Sequence, residues 1–242
     1  MIEPKIRIGT SGYSYSWNKA KPNAFEWYMN QGFNSIEINY SFYRFPSATS
    51  VKFWQIKARH DFTFSIKVHR SITHYNRLKQ PRSVELWKEF SRIFEPLQEK
   101  IDFWLFQMPA NFKFNPENME RVNSFFKNEN VIDKVVPPSK AIIEFRDSSW
   151  WNQRAIKEIE RTGIAFCSVD APALPNEIIA VNDTTYLRLH GTKAWYNYLY
   201  PEERLKEIIS DMSAIDASKK AIYLNNDHGM LPNGLFLMKS LF

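Results

Sequence analysis

The chain predicts a single (β/α)8 TIM barrel, eight-stranded and parallel, spanning residues 1–242. Three observations carry the prediction: eight β-rich runs occur in series, stretches of helical periodicity separate most of them, and several runs alternate polar with apolar residues. Strands that alternate with helices pair in parallel, and eight units closing on themselves remove the two exposed edges an open sheet would keep. A length of 242 residues fits one such barrel, and no composition break or low-complexity stretch marks a linker.

In order, the runs are Ile6 to Ser11, Ser35 to Tyr43, Phe62 to Arg70, Asp102 to Pro109, Ala141 to Trp150, Ala165 to Pro172, Thr185 to Gly191 and Ala221 to Asn226. Between them, Ser83 precedes Val84, Trp87, Phe90, Phe94 and Leu97, an apolar stripe at helical spacing that packs onto a sheet. Pro116 after Asn115 and Pro201 after Tyr200 suit first-turn positions, while Gly32 and Gly163 stand where a left-handed residue ends a helix. The segment from Ala173 to Asp183, between strands six and seven, is short, so a reduced or irregular helix is expected there.

Charge sets the ligand class before any motif does. Lys and Arg total 32 against 26 acids, a formal +6, and no block of like charge occurs, so a diffuse positive field favours anionic ligands without naming one. Cys167 is the only cysteine and excludes an intrachain disulfide; with no apolar leader after Met1, a reducing cytoplasm is the expected location. No apolar run approaches the roughly 20 residues a membrane span needs, and a soluble protein is expected.

Side chains alternate along a strand, so residues of one parity share a face. Glu37 and Asn39 oppose Ile36 and Ile38; Lys67 and His69 oppose Ile66 and Val68; Glu144 and Arg146 oppose Ile143 and Phe145. Ser168 and Asp170 oppose Cys167 and Val169, Arg188 and His190 oppose Leu187 and Leu189, and Gln107 and Asn225 extend the set. Helices cover the outside of a barrel, so the polar parity is expected to point to the axis and the C-terminal mouth, where barrel enzymes carry their sites. The charges balance there: Lys67, Arg146 and Arg188 against Glu37, Glu144 and Asp170. Such a set also fits a structural ion network that fixes register around an unused pocket.

Several chemistries fit those residue types. Glu144 between cations stays ionised and can act as a base, with His190 sharing proton transfer or standing as a structural histidine bonded to Asp170 or a backbone carbonyl. Lys67, if desolvated, can form a Schiff base, but pairing with Glu144 argues against that by keeping it charged. Glu37, Glu144, Asp170 and His190 could hold magnesium or manganese, although three interleaved cations oppose a divalent ion, so no metal or cofactor is predicted. Phosphate recognition fits Arg146, Arg188 and the helix beginning near Asn233. Aromatics form 16% of the chain, and those in strand-following loops (Tyr13, Tyr15, Trp17, Tyr40, Phe42, Tyr43, Trp150, Trp151, Trp195, Tyr196, Tyr198, Tyr200) could stack on a sugar or base; nucleic acid is the weaker reading because the basic charge forms no stripe.

Taken in combination and order, Ile8-Gly9-Thr10-Ser11-Gly12-Tyr13, Ile36-Glu37-Ile38-Asn39, Phe42-Tyr43, Phe64 to Lys67, Ile72-Thr73-His74, Gln107-Met108-Pro109, Glu144-Phe145-Arg146, Ser149-Trp150, Val169-Asp170-Ala171-Pro172, Tyr186 to Gly191 and Leu224-Asn225-Asn226 resemble the YecE-like family, domain of unknown function 72. The resemblance spans nearly the whole chain and implies a TIM barrel whose activity is not established, with Glu37, Lys67, Glu144, Arg146, Asp170, Arg188 and His190 at pocket positions. Departures are Lys21-Pro22 in place of a phenylalanine-tyrosine-proline run, His69 where a small residue is usual, and Asn233-Gly234 for asparagine-alanine, the last expected to be minor.

The expectation assembled from these readings is an enzyme that applies acid/base chemistry to a small polar, anionic molecule, carboxylate or phosphate, without distinguishing hydrolase, lyase or isomerase. Glu37, Lys67, Glu144, Asp170 and His190 form the catalytic set. Arg146, Arg188, Asn39, Tyr40, His74, Gln107, Trp150, Tyr198 and Asn225 bind substrate. The alternative is a non-catalytic binding module for nucleic acid or a metabolite; oligomeric state has no sequence signal.

Overall fold

The computed structural model describes residues 6–132 and 136–241. Its strands are β1 (Arg7–Thr10), β2 (Ser35–Ile38), β3 (Thr63–Lys67), β4 (Ile101–Gln107), β5 (Ala141–Glu144), β6 (Ala165–Asp170), β7 (Thr184–Leu189) and β8 (Lys219–Leu224). They form one parallel sheet in the order β1-β8-β7-β6-β5-β4-β3-β2. The helices are α1 (Ala24–Asn30), α2 (Ala48–Lys57), α3 (Arg82–Arg92), α4 (Pro116–Phe126), α5 (Gln153–Glu160), α6 (Glu202–Ala214) and α7 (Met230–Leu241). This is the TIM-barrel order, with the helix between β6 and β7 replaced by irregular chain. Among the described residues no helix is long and apolar enough to cross a membrane.

Strands end sooner than their β-rich runs. Ser35 to Tyr43 leaves the sheet after Ile38 and turns through a 3-10 helix at Tyr40–Phe42, and Ala141 to Trp150 does the same at Ser148–Trp150. Beyond the rim no neighbouring strand offers a ladder, so backbone groups must find partners locally. Asn115 caps α4 by accepting from the Asn118 N–H, with Pro116 in the first turn, whereas Pro201 sits one place early, at the N-cap of α6. Gly32 and Gly163 have φ of 100° and 81°, the left-handed residues expected after α1 and α5.

The two ends of the sheet, β1 and β2, meet through side chains. Asn34 Oδ1 accepts from the Ile8 N–H at 2.8 Å while its Nδ2 donates to the Ile6 carbonyl at 2.9 Å. Tyr28 accepts from the Thr10 N–H at 2.9 Å and donates to the Ser35 carbonyl at 3.1 Å. Gly9 allows the approach, because an added Cβ would lie 2.5 Å from the Ser35 carbonyl oxygen. Gly234 is more than a minor variation: a methyl there would meet the Phe33 ring at 2.5 Å.

Two apolar layers follow from alternation. Ile8, Ile36, Ile66, Phe106, Ile143, Phe166, Leu187 and Ile222 point outward under the helices, and Trp87 of α3 meets Trp104 and Phe106 of β4 at 5.1 Å each. Phe103, Leu105, Ile142, Cys167, Val169, Tyr186, Ala221 and Tyr223 fill the axis. On β6 the parity is therefore the reverse of that expected: Cys167 and Val169 face in, while Ser168 and Asp170 face out. The rings of Phe103, Tyr186 and Tyr223 occupy the axis and leave β6 room for small side chains only.

Candidate functional site

Above that apolar plug, the C-terminal ends of β2, β5 and β7 bring Glu37, Glu144 and Arg188 together, all three fully buried. Arg188 grips Glu37 with two parallel bonds, Nε to Oε2 at 2.9 Å and Nη2 to Oε1 at 2.6 Å. Its Nη1 donates to Glu144 Oε2 at 2.6 Å and reaches His190 Nε2 at 3.2 Å, and its Nη2 also donates to Ser11 Oγ at 3.3 Å. All five guanidinium N–H groups are thereby engaged. Glu37 additionally accepts from Ser11 Oγ and the Tyr186 hydroxyl, each at 2.8 Å.

This bonding corrects three expectations. Arg188 has no donor left for a substrate anion, so it is a tie between two carboxylates rather than an anion binder. Glu37 holds four donors and has no free lone-pair direction for proton transfer. His190 accepts at Nε2 from both Arg188 and Arg146, the latter at 3.1 Å, which assigns its proton to Nδ1. Burial and the adjacent cations of Arg146, Arg188 and Lys67 push its pKa well below the usual histidine value, so it is a neutral strut rather than a titrating acid.

Glu144 is the hub. Burial resists its ionisation, but Arg146, Arg188 and Lys67 outweigh that and hold its pKa at about 2. Its Oε1 accepts from Arg146 Nε. Arg146 Nη1 lies 3.4 Å from the Tyr196 hydroxyl, and the guanidinium stands 4.6 Å over the Trp195 ring. Among the described residues two of its N–H groups have no protein partner, and it lines a cavity of about 470 Å3 with Gln107, Trp195 and Tyr196.

Lys67, at the end of β3, is 8% exposed, with Nζ 4.4 Å over the Phe42 ring and His74 meeting that ring edge-on at 4.8 Å. The expected Lys67–Glu144 ion pair is not formed; Glu144 pairs with Arg146 and Arg188 instead. Burial and then Arg188 depress the Lys67 pKa to about 7, and the same burial, with Lys67 and Arg146, takes His74 to about 4. His69 leaves the axis and packs edge-on to Phe45 at 4.7 Å.

Asp170 lies outside the barrel wall. Its carboxylate accepts from the Tyr200 hydroxyl at 3.0 Å, Thr192 Oγ1 at 2.9 Å and Arg204 Nη2 at 3.3 Å, which removes it from the catalytic set. Asp170→Asn is expected to cost about 1–3 kcal/mol in denaturant unfolding while leaving any ligand response of the mouth unchanged. Without Asp170 the mouth carries Lys67, Arg146 and Arg188 against Glu37 and Glu144, one cation in excess. Glu37, Glu144, Asp170 and His190 do not converge as ligands, and the described residues contain no group of three or more His, Cys, Asp or Glu side chains able to hold a metal ion.

Among the expected binding residues, Trp150 is fully buried, stacked on Phe145 at 3.7 Å and bonded to the Phe112 carbonyl, hence core rather than pocket. Tyr198 packs edge-on to Tyr200 at 4.8 Å, against Gly191. Asn225 is half-buried at the end of β8. Asn39 and Tyr40 line a separate cavity of about 710 Å3 over β1 and β2, which touches the ion network only through Ser11. Asn233 lies in the first turn of α7, which begins at Met230, with its side chain clamped to Tyr200 and Asn226. Ser11 and Tyr186 join the mouth without having been expected there, although Ser11 shares parity with Gly9 and Tyr186 with Arg188, a signal available in the sequence; Trp195 and Tyr196 come from the expected loop aromatics.

Fold and site define a TIM barrel with an ion-paired plug at the strand ends. The family model described as protein of unknown function DUF72 matches residues 7–232, and the chain belongs to that family. A DUF72 family protein from Thermotoga maritima is 27% identical, with TM-score 0.83 over 98% of this chain and 99% of that one. One from Enterococcus faecalis V583 is 20% identical, with TM-score 0.81 over 98% and 95%. SacUVDE, 10% identical with TM-score 0.58 over 90% of this chain and 83% of that one, shares the fold. No curated protein matches the chain.

Proposed function

We propose that this protein is an enzyme that binds a small anionic substrate, carboxylate or phosphate, between Arg146 and Lys67 and uses the Lys67 amine for proton transfer. The observation that carries the reading is the unmatched cation: Arg188 and Arg146 each hold a carboxylate, whereas Lys67 has none within ion-pair distance. A buried charge without a counter-ion is costly, so the site is stabilised either by loss of the Lys67 proton or by arrival of an anion. An amine with a pKa of about 7 exists in both forms near neutrality, which suits a group that must take and return a proton.

The linkage gives the test. An anion favours the charged ammonium, so binding above pH 7 draws a proton onto Lys67, and affinity falls by up to about tenfold per pH unit as pH rises past 7. Calorimetry with inorganic phosphate, malonate and oxalate in buffers of different ionisation enthalpy is expected to show uptake of up to one proton per anion. Arg146→Ala should abolish the response and Lys67→Met its pH dependence. Absence of binding by all three anions, or binding without proton uptake, sinks the reading; an anion bound but never converted across a panel of its esters and hydroxy acids marks a binding module instead.

A further inference from the structure

We propose that the 710 Å3 cavity over the ends of β1 and β2 is a binding site for an uncharged saccharide, with a sugar ring stacked on Tyr40. The site is independent of the anion reading, since no acidic, basic or histidine side chain lines it. Burial raises the pKa of Tyr13 and Tyr40, and that of Tyr15 to about 12.

The lining has two parts. Aromatic faces form one, with Tyr40 40% and Phe53 37% exposed and Trp54 buried behind Tyr40 at a ring separation of 5.7 Å. Exposed rings gathered at one concave place are sites where a ligand removes apolar surface from water. Hydroxyl and amide groups form the other: Ser47 and Ser50 pair at 2.9 Å on the α2 side, and Asn39 lies on the β2 side. Asn39 Nδ2 reaches the Ser11 carbonyl at a long 3.3 Å, and its Oδ1 is buried without a partner among the described residues.

Ligand chemistry follows from that pairing. A purely apolar ligand would leave Asn39 Oδ1 without a partner, at the cost of a lost hydrogen bond. A nucleic-acid strand needs cations for its phosphates, and none face this cavity. A pyranose offers both requirements at once, a C–H face for the Tyr40 ring and a rim of hydroxyls for Asn39, Ser47 and Ser50. The volume lies within the range of sites that enclose drug-sized ligands, which is room for a disaccharide.

The experiment is titration of the full chain with cellobiose, maltose, diacetylchitobiose and, as the flat-ring control, adenosine, followed by saturation-transfer NMR and intrinsic fluorescence. At least one disaccharide is expected to saturate, with affinity unchanged by added salt, retained in Tyr40→Phe and weakened at least about tenfold, 1.4 kcal/mol, in Tyr40→Ala and in Asn39→Leu. Tyr40 is exposed, so its variants should fold, and melting temperature verifies that. Arg146→Ala should leave saccharide binding intact. Saturation by adenosine alone, by no compound, or by a saccharide indifferent to Tyr40 and Asn39 overturns the proposal.

Discussion

Arg188→Ala is expected to destabilise the protein by about 3–5 kcal/mol, enough to lower the melting temperature by roughly 10 °C or to prevent folding at ordinary growth temperature. The size comes from what is left behind. Glu37 and Glu144 are fully buried, and among the described residues Arg188 is the only guanidinium that bridges them. Removing it leaves two like charges sharing a space closed to water. Arg188→Lys should fare little better, since an ammonium has three donors where five are in use and cannot bond Glu37 with a planar fork. Replacing Glu37 and Arg188 together, with Glu37→Gln and Arg188→Met, should recover much of the loss, because it removes that pair's charges and leaves Glu144 to Arg146. The pH profile provides a second reading. Glu144 ionises at about 2 in the folded chain against 4.5 when unperturbed, so its contribution is present above 4.5 and is lost as pH falls through 2. In Arg188→Ala that carboxyl loses one of its cations, and acid unfolding moves to higher pH. Equal denaturant midpoints for parent and Arg188→Ala would show that the network is not the tie described here.

The eight strands were legible because period-two alternation and helix punctuation are local signals: Asn115-Pro116, Gly32 and Gly163 each act where their own backbone requires. The axial cluster was legible in direction but not in stoichiometry. Alternation says that Glu37, Glu144 and Arg188 point inward; it cannot say that Arg188 spends every donor on protein partners. Strand β6 departs from the alternation for a packing reason. Polar Ser168 and Asp170 mark one face of the run as axial, but the rings of Tyr186 and Tyr223 across the axis pack against the small apolar Cys167 and Val169 instead. Trp150 was misplaced because its position after β5 reads as rim, whereas the 3-10 turn at Ser148–Trp150 folds the indole back onto Phe145. Such returns depend on contacts distant in sequence, which no local pattern encodes.

Lys67→Met is expected to do the opposite of Arg188→Ala and stabilise the protein, by up to a few kcal/mol at about pH 6, with the gain fading as pH rises toward 10.5. Burial, then the neighbouring Arg188, lowers the folded pKa to about 7 from 10.5. Between those values the unfolded chain binds more protons than the folded one, so stability rises with pH across that window. Below pH 7 the ammonium is charged in both states and the folded chain carries the whole penalty of holding it among Arg188 and Arg146; above 10.5 the penalty is gone. Methionine keeps an unbranched stem against Phe42 and removes the charge, so the variant loses the pH dependence together with the cost. Two cations on one barrel axis thus differ in sign because one makes five hydrogen bonds and the other faces an aromatic ring. Saturating phosphate should stabilise the parent below pH 8 by supplying the missing counter-charge and leave Lys67→Met much less affected. A gain from Lys67→Met that stays constant from pH 6 to pH 10 would show that the ammonium is not the strained group, and the proton-transfer role assigned to it would fall as well.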